Sequence, residues 1–243
     1  RIRCYREGRR TMSELTYKML TLPSVFLMEA EFPKEMVTSL NKYLDKLLKN
    51  KDRVTAADTL VGQIHGGEQL TMDHECKELE EVRIDLCSIA ARYVTDFLGM
   101  TGQTLVGDRQ IDIDKLWSVH SYAGDYNPLH DHGTKTAMGV SCTTWTKIPE
   151  QISKLTDPSE EGKLSYYNAS GCSDGFLEFF YGRNSTRDKE ILKPTYATMC
   201  KPKVGTIYFF PSWLQHTVYP FRGEGERRTV AANFNCFPVE NKG

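Results

Sequence analysis

The sequence predicts a mostly β chain with N-terminal helices, an α+β arrangement in which the β part is a sandwich or barrel. Two observations carry this. Between residues 33 and 102, apolar residues recur at helical spacing. After Gly102 the texture changes to short runs, "LWSVHSYA", "AMGVSCTTWTKI", "GFLEFFYG", "GTIYFFP", "HTVYPF" and "RTVAANFNCF". These runs are rich in Val, Thr, Tyr, Phe and Trp and are separated by Gly, Pro, Asn and Asp. Many short strands between turn residues make a sandwich or barrel, and the helices are expected to pack on one sheet face.

The elements follow in order. Residues 1–11 are basic, lack an initiator Met and hold little apolar content, so they are expected to be a disordered leader or remnant outside the fold. Met36, Leu40, Tyr43, Leu44 and Leu47 sit at helical spacing behind Pro33, which suits a first turn, and predict a helix over about 33–50. A stretch of short extended pieces and loop comes next, with Gly66-Gly67 as a turn. The strongest helix has the stripe Leu79, Val82, Leu86, Ile89, Ala90, Tyr93 and Phe97, with Asp73 as its cap and Gly99 near its end. The strands fill 103–243, giving one domain over 12–243 whose first part, 12–102, is helical. The polar stretch 149–174 interrupts the strand rhythm and is either a surface excursion or a loop over a site.

Composition excludes several classes. The net charge is -1 over 243 residues, with Lys and Arg spread along the chain, so nothing favours nucleic acid or an anionic membrane as partner. The seven cysteines are scattered and form no C-x-x-C pair, which argues against a disulfide framework or thiolate zinc site and for a reducing, cytoplasmic compartment. No apolar run reaches the length of a membrane span.

The residues that carry chemistry are few. "NPLHDH" places His130 and His132 at i and i+2, on one face of a strand. His216 lies in another strand-like run, "FPSWLQHTVYPF". Imidazoles suit Fe, Zn, Cu or Ni, and a facial set with open positions is how a non-haem Fe(II) site activates O₂. A barrel interior brings inward residues of neighbouring strands together. For each histidine alone, a surface or hydrogen-bonded role is the commoner fate. A second feature favours the site: "ERRTVAANFN" puts Arg227 and Thr229 on one strand face, continued by Ala231 and Asn233. An inward arginine is costly to bury unpaired, and its planar fork suits a carboxylate. The common fate of "ERR", by contrast, is two solvated charges at a strand edge.

Taken together, "YNPLHDHG…MGVSCTTWTKIP…DGFLEF…KVGTIYFFPSWLQHTVYPF…ERRTVAANFN" resembles the Fe(II)/2-oxoglutarate-dependent oxygenase superfamily, in the branch with an H-x-H…H metal motif. The resemblance covers about residues 115–237. It implies a double-stranded β-helix (a cupin-like jelly roll) buttressed by the two helices. It also implies a dioxygenase that hydroxylates a peptidyl side chain such as proline, or a small molecule, with release of succinate and CO₂. By motif position His130, His132 and His216 match the metal ligands, Arg227 and Thr229 the clamp for the distal carboxylate of 2-oxoglutarate, and Asn233 and Asn235 the polar positions closing the last strand. Tyr122 and Asn127, on the approach to H-x-H, are expected to contact cosubstrate or orient a ligand. Trp145, Tyr166, Tyr167 and Phe180 are candidate pocket or lid aromatics, though plain packing is their commoner role.

The superfamily's usual pattern is H-x-D…H. Here His132 stands at the carboxylate position, and Asp131 points the other way on a regular strand unless a bulge reverses it. Two other readings stay open at this point. A three-histidine set on a jelly roll also serves cupin thiol dioxygenases, which use no 2-oxoglutarate. A jelly roll can also persist as a non-catalytic binding module.

Overall fold

A computed structural model describes residues 25–104, 107–157, 170–181 and 199–238. Strand β1 (Met28–Glu31) leads into helix α1 (Lys34–Lys49), which begins right after Pro33 and stops at Asn50, as the apolar spacing predicts. Leu40 and Leu44, one turn apart, are fully buried, each worth about 1.5–3 kcal/mol of transfer from water.

A one-turn 3-10 helix (Ala57–Thr59) and strand β2 (Glu68–Thr71) follow, then helix α2 (Glu80–Thr101). The start of α2 differs from the expectation. Asp73 accepts the backbone N–H of Glu75 in a local turn and does not cap the helix. A 3-10 turn over Lys77–Leu79 intervenes, and its Leu79 is buried. The end lies at Gly102, with Gly99 near it in the last turn, as expected. Gly102 has φ 68°, which a side chain would strain, and the next N–H, of Gln103, reaches back to the Leu98 carbonyl.

The remaining strands are β3 (Arg109–Ser121), β4 (Asn127–His130), β5 (Val140–Lys147), β6 (Leu177–Phe180), β7 (Met199–Cys200), β8 (Thr206–Pro211), β9 (Gln215–Val218) and β10 (Arg227–Pro238), with a short helix α3 (Glu150–Ser153) after β5. All pairings between these strands are antiparallel. They form a six-stranded sheet, β1-β8-β5-β10-β3-β2, and a four-stranded sheet, β4-β9-β6-β7. From β3 to β10 the chain alternates between the sheets, with β6 and β7 paired side by side. That is the double-stranded β-helix, or jelly roll.

The two faces of the large sheet do different work. Its outer face gives Leu116, Cys142, Ile207, Phe209, Val230, Ala232 and Phe234 to one core with Leu40, Leu44, Val82, Leu86, Ala90 and Leu98 of the helices. Its inner face looks at the small sheet. Trp145, Phe179, Phe210 and Leu214 fill one part of that interior, and the rest stays open as a cavity.

Segment 54–67 crosses the mouth of that cavity. Gln63 and Tyr126 exchange backbone hydrogen bonds at 2.8 and 3.3 Å. The buried Asp125 carboxylate accepts the N–H groups of His65, Gly66 and Tyr122. Gly67 comes so close to β3 that a Cβ there would lie 1.6 Å from the His120 carbonyl oxygen. Among the described residues no helix is long and apolar enough to cross a membrane.

Candidate active site

The two short strands of the small sheet place the first two histidines. β4 and β9 pair with His130 opposite His216, and their rings stand 4.2 Å apart. His132 arrives differently. β4 ends at His130, so the pair does not share a strand face. His132 is brought back because its N–H bonds the Ser212 carbonyl, at 2.8 Å, in the turn between β8 and β9. Asn127 and Pro128 are the first two residues of β4. The outcome is still convergence: one ring nitrogen of each histidine lies within 4.8 Å of the others.

Each ring is oriented through Nδ1. His130 donates to the Pro128 carbonyl at 2.7 Å and His216 to the Leu214 carbonyl at 2.9 Å. His132 reaches Asn233 Oδ1 at 2.8 Å and Ser141 Oγ at 3.0 Å. Carbonyl oxygens only accept, so the proton sits on Nδ1 and the Nε2 lone pair is left for another partner. Burial disfavours the charged rings. It lowers His130 despite the hydrogen bond to Pro128, brings His132 down to about 4 with help from His130, and holds His216 well below its ordinary value, His132 and His130 adding to the effect. Three neutral imidazoles with free Nε2 atoms are what a soft-to-borderline divalent metal takes.

The opposite wall belongs to the large sheet. Arg227, Thr229, Ala231 and Asn233 alternate along β10 and line the cavity, with Trp117 and Val119 beside them on β3 and Thr143 on β5. Arg227 is 1% exposed. Its Nη1 donates to the Gly175 and Tyr219 carbonyls at 3.0 and 3.1 Å, and its Nη2 reaches Ser121 Oγ only at 3.4 Å. Its Nε is buried without a partner among the described residues. Burial lowers its pKa to about 10, Asp125 opposing the shift, so the charge persists at neutral pH. A buried cation with an unmet donor on its Nε–Nη2 edge fits a bidentate carboxylate.

The other expected residues divide. Thr229 and Asn127 line the cavity. Asn127 also accepts Thr217 Oγ1 through its carbonyl. Asn233 lines the cavity too, but its Oδ1 is taken by His132 and Ser141. Asn235 Oδ1 holds the loop after His132 through the N–H groups of Lys135 and Thr136. Tyr122 is 40% exposed and stands outside the lining. It follows Ser121 at the end of β3, and nearness to the motif in sequence did not become nearness in space. Asp131 is exposed at the rim, outside the cluster of converging ligand atoms. Trp145 is core packing, and Phe180 is half-buried outside the lining. Tyr166 and Tyr167, with residues 158–169 of the polar stretch, lie outside the described residues.

Sequence reasoning missed Ser141, Trp117 and the wall Thr59–Leu60–Val61. Ser141 and Thr143 had a signal, being polar residues two apart in a strand run. The 59–61 wall had none.

The jelly roll thus carries three inward imidazoles and, across one cavity, a buried arginine. Residues 115–233 match the family model described as "Putative 2OG-Fe(II) oxygenase". The match covers just under half of the chain and marks it as a 2-oxoglutarate-dependent oxygenase, an enzyme class that works with Fe(II), 2-oxoglutarate and O₂. Among solved structures, a Pseudomonas putida prolyl-4-hydroxylase is similar at TM-score 0.53 and 13% identity, over 87% of this chain and 93% of that one. The carbocyclase SnoK of nogalamycin biosynthesis is similar at TM-score 0.53 and 9% identity, over 90% and 85%. The epimerase SnoN of the same biosynthesis is similar at TM-score 0.52 and 9% identity, over 89% and 80%. At these identities the likeness is one of fold. No curated protein sequence matches the chain.

Proposed function

We propose that His130, His132 and His216 hold the iron, and that Arg227 with Thr229 receives the distal carboxylate of 2-oxoglutarate. The site then hydroxylates a peptidyl side chain, such as proline, or a small molecule. One observation carries this reading: three neutral imidazoles with free Nε2 atoms and a buried guanidinium with an unmet donor face the same cavity. With iron bound, the centre supplies the oxidising power for hydroxylation, and succinate and CO₂ leave.

The chain's own residues do the positioning. The Nδ1 hydrogen bonds aim the three rings before any ligand arrives, so little reorganisation is needed on binding. Gly175 and Tyr219 hold one edge of Arg227, which leaves the other edge pre-aimed. Trp117, Val119, Leu177, Phe210 and Val218 wall the space between. In such apolar surroundings a guanidinium–carboxylate pair is stronger than in water. Lys115, Asp131 and Val61 stand at the exposed rim, where a substrate side chain would enter.

Anaerobic titration with Fe(II) and 2-oxoglutarate tests the reading. We expect a weak visible charge-transfer band in the wild type, its loss in His132→Ala and His216→Ala, and succinate release under air even without substrate. Tight iron binding with no band would overturn the assignment of the cosubstrate site.

A further inference from the structure

His132 differs from its partners in what orients it. His130 and His216 each bond the backbone carbonyl two residues back, of Pro128 within β4 and of Leu214 just before β9. No side-chain substitution removes those acceptors. His132 has no such carbonyl. Its Nδ1 depends on Asn233 Oδ1, and Ser141 Oγ donates to that same oxygen at 2.8 Å. Ser141 is fully buried and Asn233 is 5% exposed. The three groups form a closed triangle with β5, β10 and the loop after β4 at its corners.

The triangle has a definite polarity. A carbonyl oxygen offers two lone pairs, and here one takes the Ser141 hydroxyl and the other the His132 Nδ1–H. The amide thereby selects the tautomer in which Nε2 is the free atom. It does so as a neutral acceptor, beside the one ligand position where the superfamily's usual pattern carries a charge.

We propose that Asn233, braced by Ser141, is the positioning residue for the third metal ligand rather than a contact for the cosubstrate. This rests on His132 being a ligand, and the test below keeps the two statements apart. An outer-shell acceptor on a ligating imidazole fixes ring and tautomer and is typically worth about 10–100-fold in metal affinity. A cosubstrate contact would instead act on 2-oxoglutarate with the metal affinity unchanged.

The experiment measures Fe(II) affinity anaerobically, by competition with a chelator, and then 2-oxoglutarate affinity at saturating iron. Asn233→Leu keeps the branched shape, removes the acceptor and is expected to weaken iron about 10–100-fold. Asn233→Asp restores the acceptor with added charge and is expected to bind iron at least as tightly as the wild type. A purely structural role for Asn233 would make the buried Asp the worse variant, so this rescue separates positioning from folding. Nitrogen NMR of the unsubstituted protein without iron adds a readout that needs no variant, the Nδ1–H tautomer at His132. Unchanged iron affinity in Asn233→Leu, an Nε2–H tautomer, or a loss confined to 2-oxoglutarate would each overturn the proposal. If His132→Ala retains wild-type iron affinity, the ligand set itself is wrong and the proposal falls with it.

Discussion

Arg227 and Arg228 are neighbours in sequence and face opposite sides of one sheet. Neither is the solvated strand-edge charge that "ERR" usually becomes. Arg227 looks into the cavity. Arg228, 4% exposed, donates Nε and Nη2 to Glu226 and Nη1 to Asn41 and Asp45 of α1. Replacing Arg227 by Lys keeps the charge and loses the fork. Hydrogen bonds to charged groups are worth about 1.5–3 kcal/mol, so the KM for 2-oxoglutarate should rise roughly 10–100-fold while iron affinity holds. Steady-state kinetics beside an iron titration check this. The histidines and Arg227 were legible because they are uncommon residue types at telling intervals. Ser141 was missed although it stands two residues from Thr143 in a strand run, because what its hydroxyl serves shows only when its partner 92 residues away is in view.

At the scale of elements, α1 is fastened to the large sheet in two ways. One is apolar, through Leu40 and Leu44. Leu40→Ala should cost about 2–5 kcal/mol in urea unfolding and leave the KM for 2-oxoglutarate unchanged, since the helix lies on the face away from the cavity. The other is ionic. Burial raises the pKa of Glu226, but hydrogen bonds from His120, Arg228 and Lys147 outweigh that and hold it well below the usual carboxylate range. A carboxylate lowered in this way contributes stability above its unfolded value of about 4.3, and the contribution is lost as pH falls toward the folded value. Glu226→Gln should therefore lose about 1.5–3 kcal/mol at neutral pH, where it takes the charged partner from Nε and Nη2 of Arg228 while Asp45 still holds Nη1, and show a much shallower decline below about pH 4.5. Thermal melts from pH 7 to pH 3 would show it. Helix α1 was legible to the residue because its stripe and its end residues agree. Strand β4 was legible in its histidine pair but not in its bounds: it starts before Pro128, a residue tolerated at a sheet edge, and stops at His130.

The whole molecule is a barrel with a strap across one end. The sequence announced strands but not their sheets: β1 joins β8, and β2 joins β3 across the whole of α2. Such pairings are settled by which faces bury together, not by local preference. The strap, residues 54–67, is fixed chiefly by the Asp125 carboxylate, which collects three backbone N–H groups. Asp125→Ala should speed amide exchange at His65, Gly66 and Tyr122 and raise the KM for the primary substrate. Iron affinity should stay within about threefold, since none of the ring hydrogen bonds passes through it. Exchange mass spectrometry with an iron titration would decide.

The dissimilar supports of the three imidazoles also divide them by reach along the chain. His130 and His216 are each held by a carbonyl within their own tripeptide. His132 leans on a residue 101 positions further along, on β10, which lies between β3 and β5. Fraying of β10 would therefore free one ring of the three and leave the other two supported.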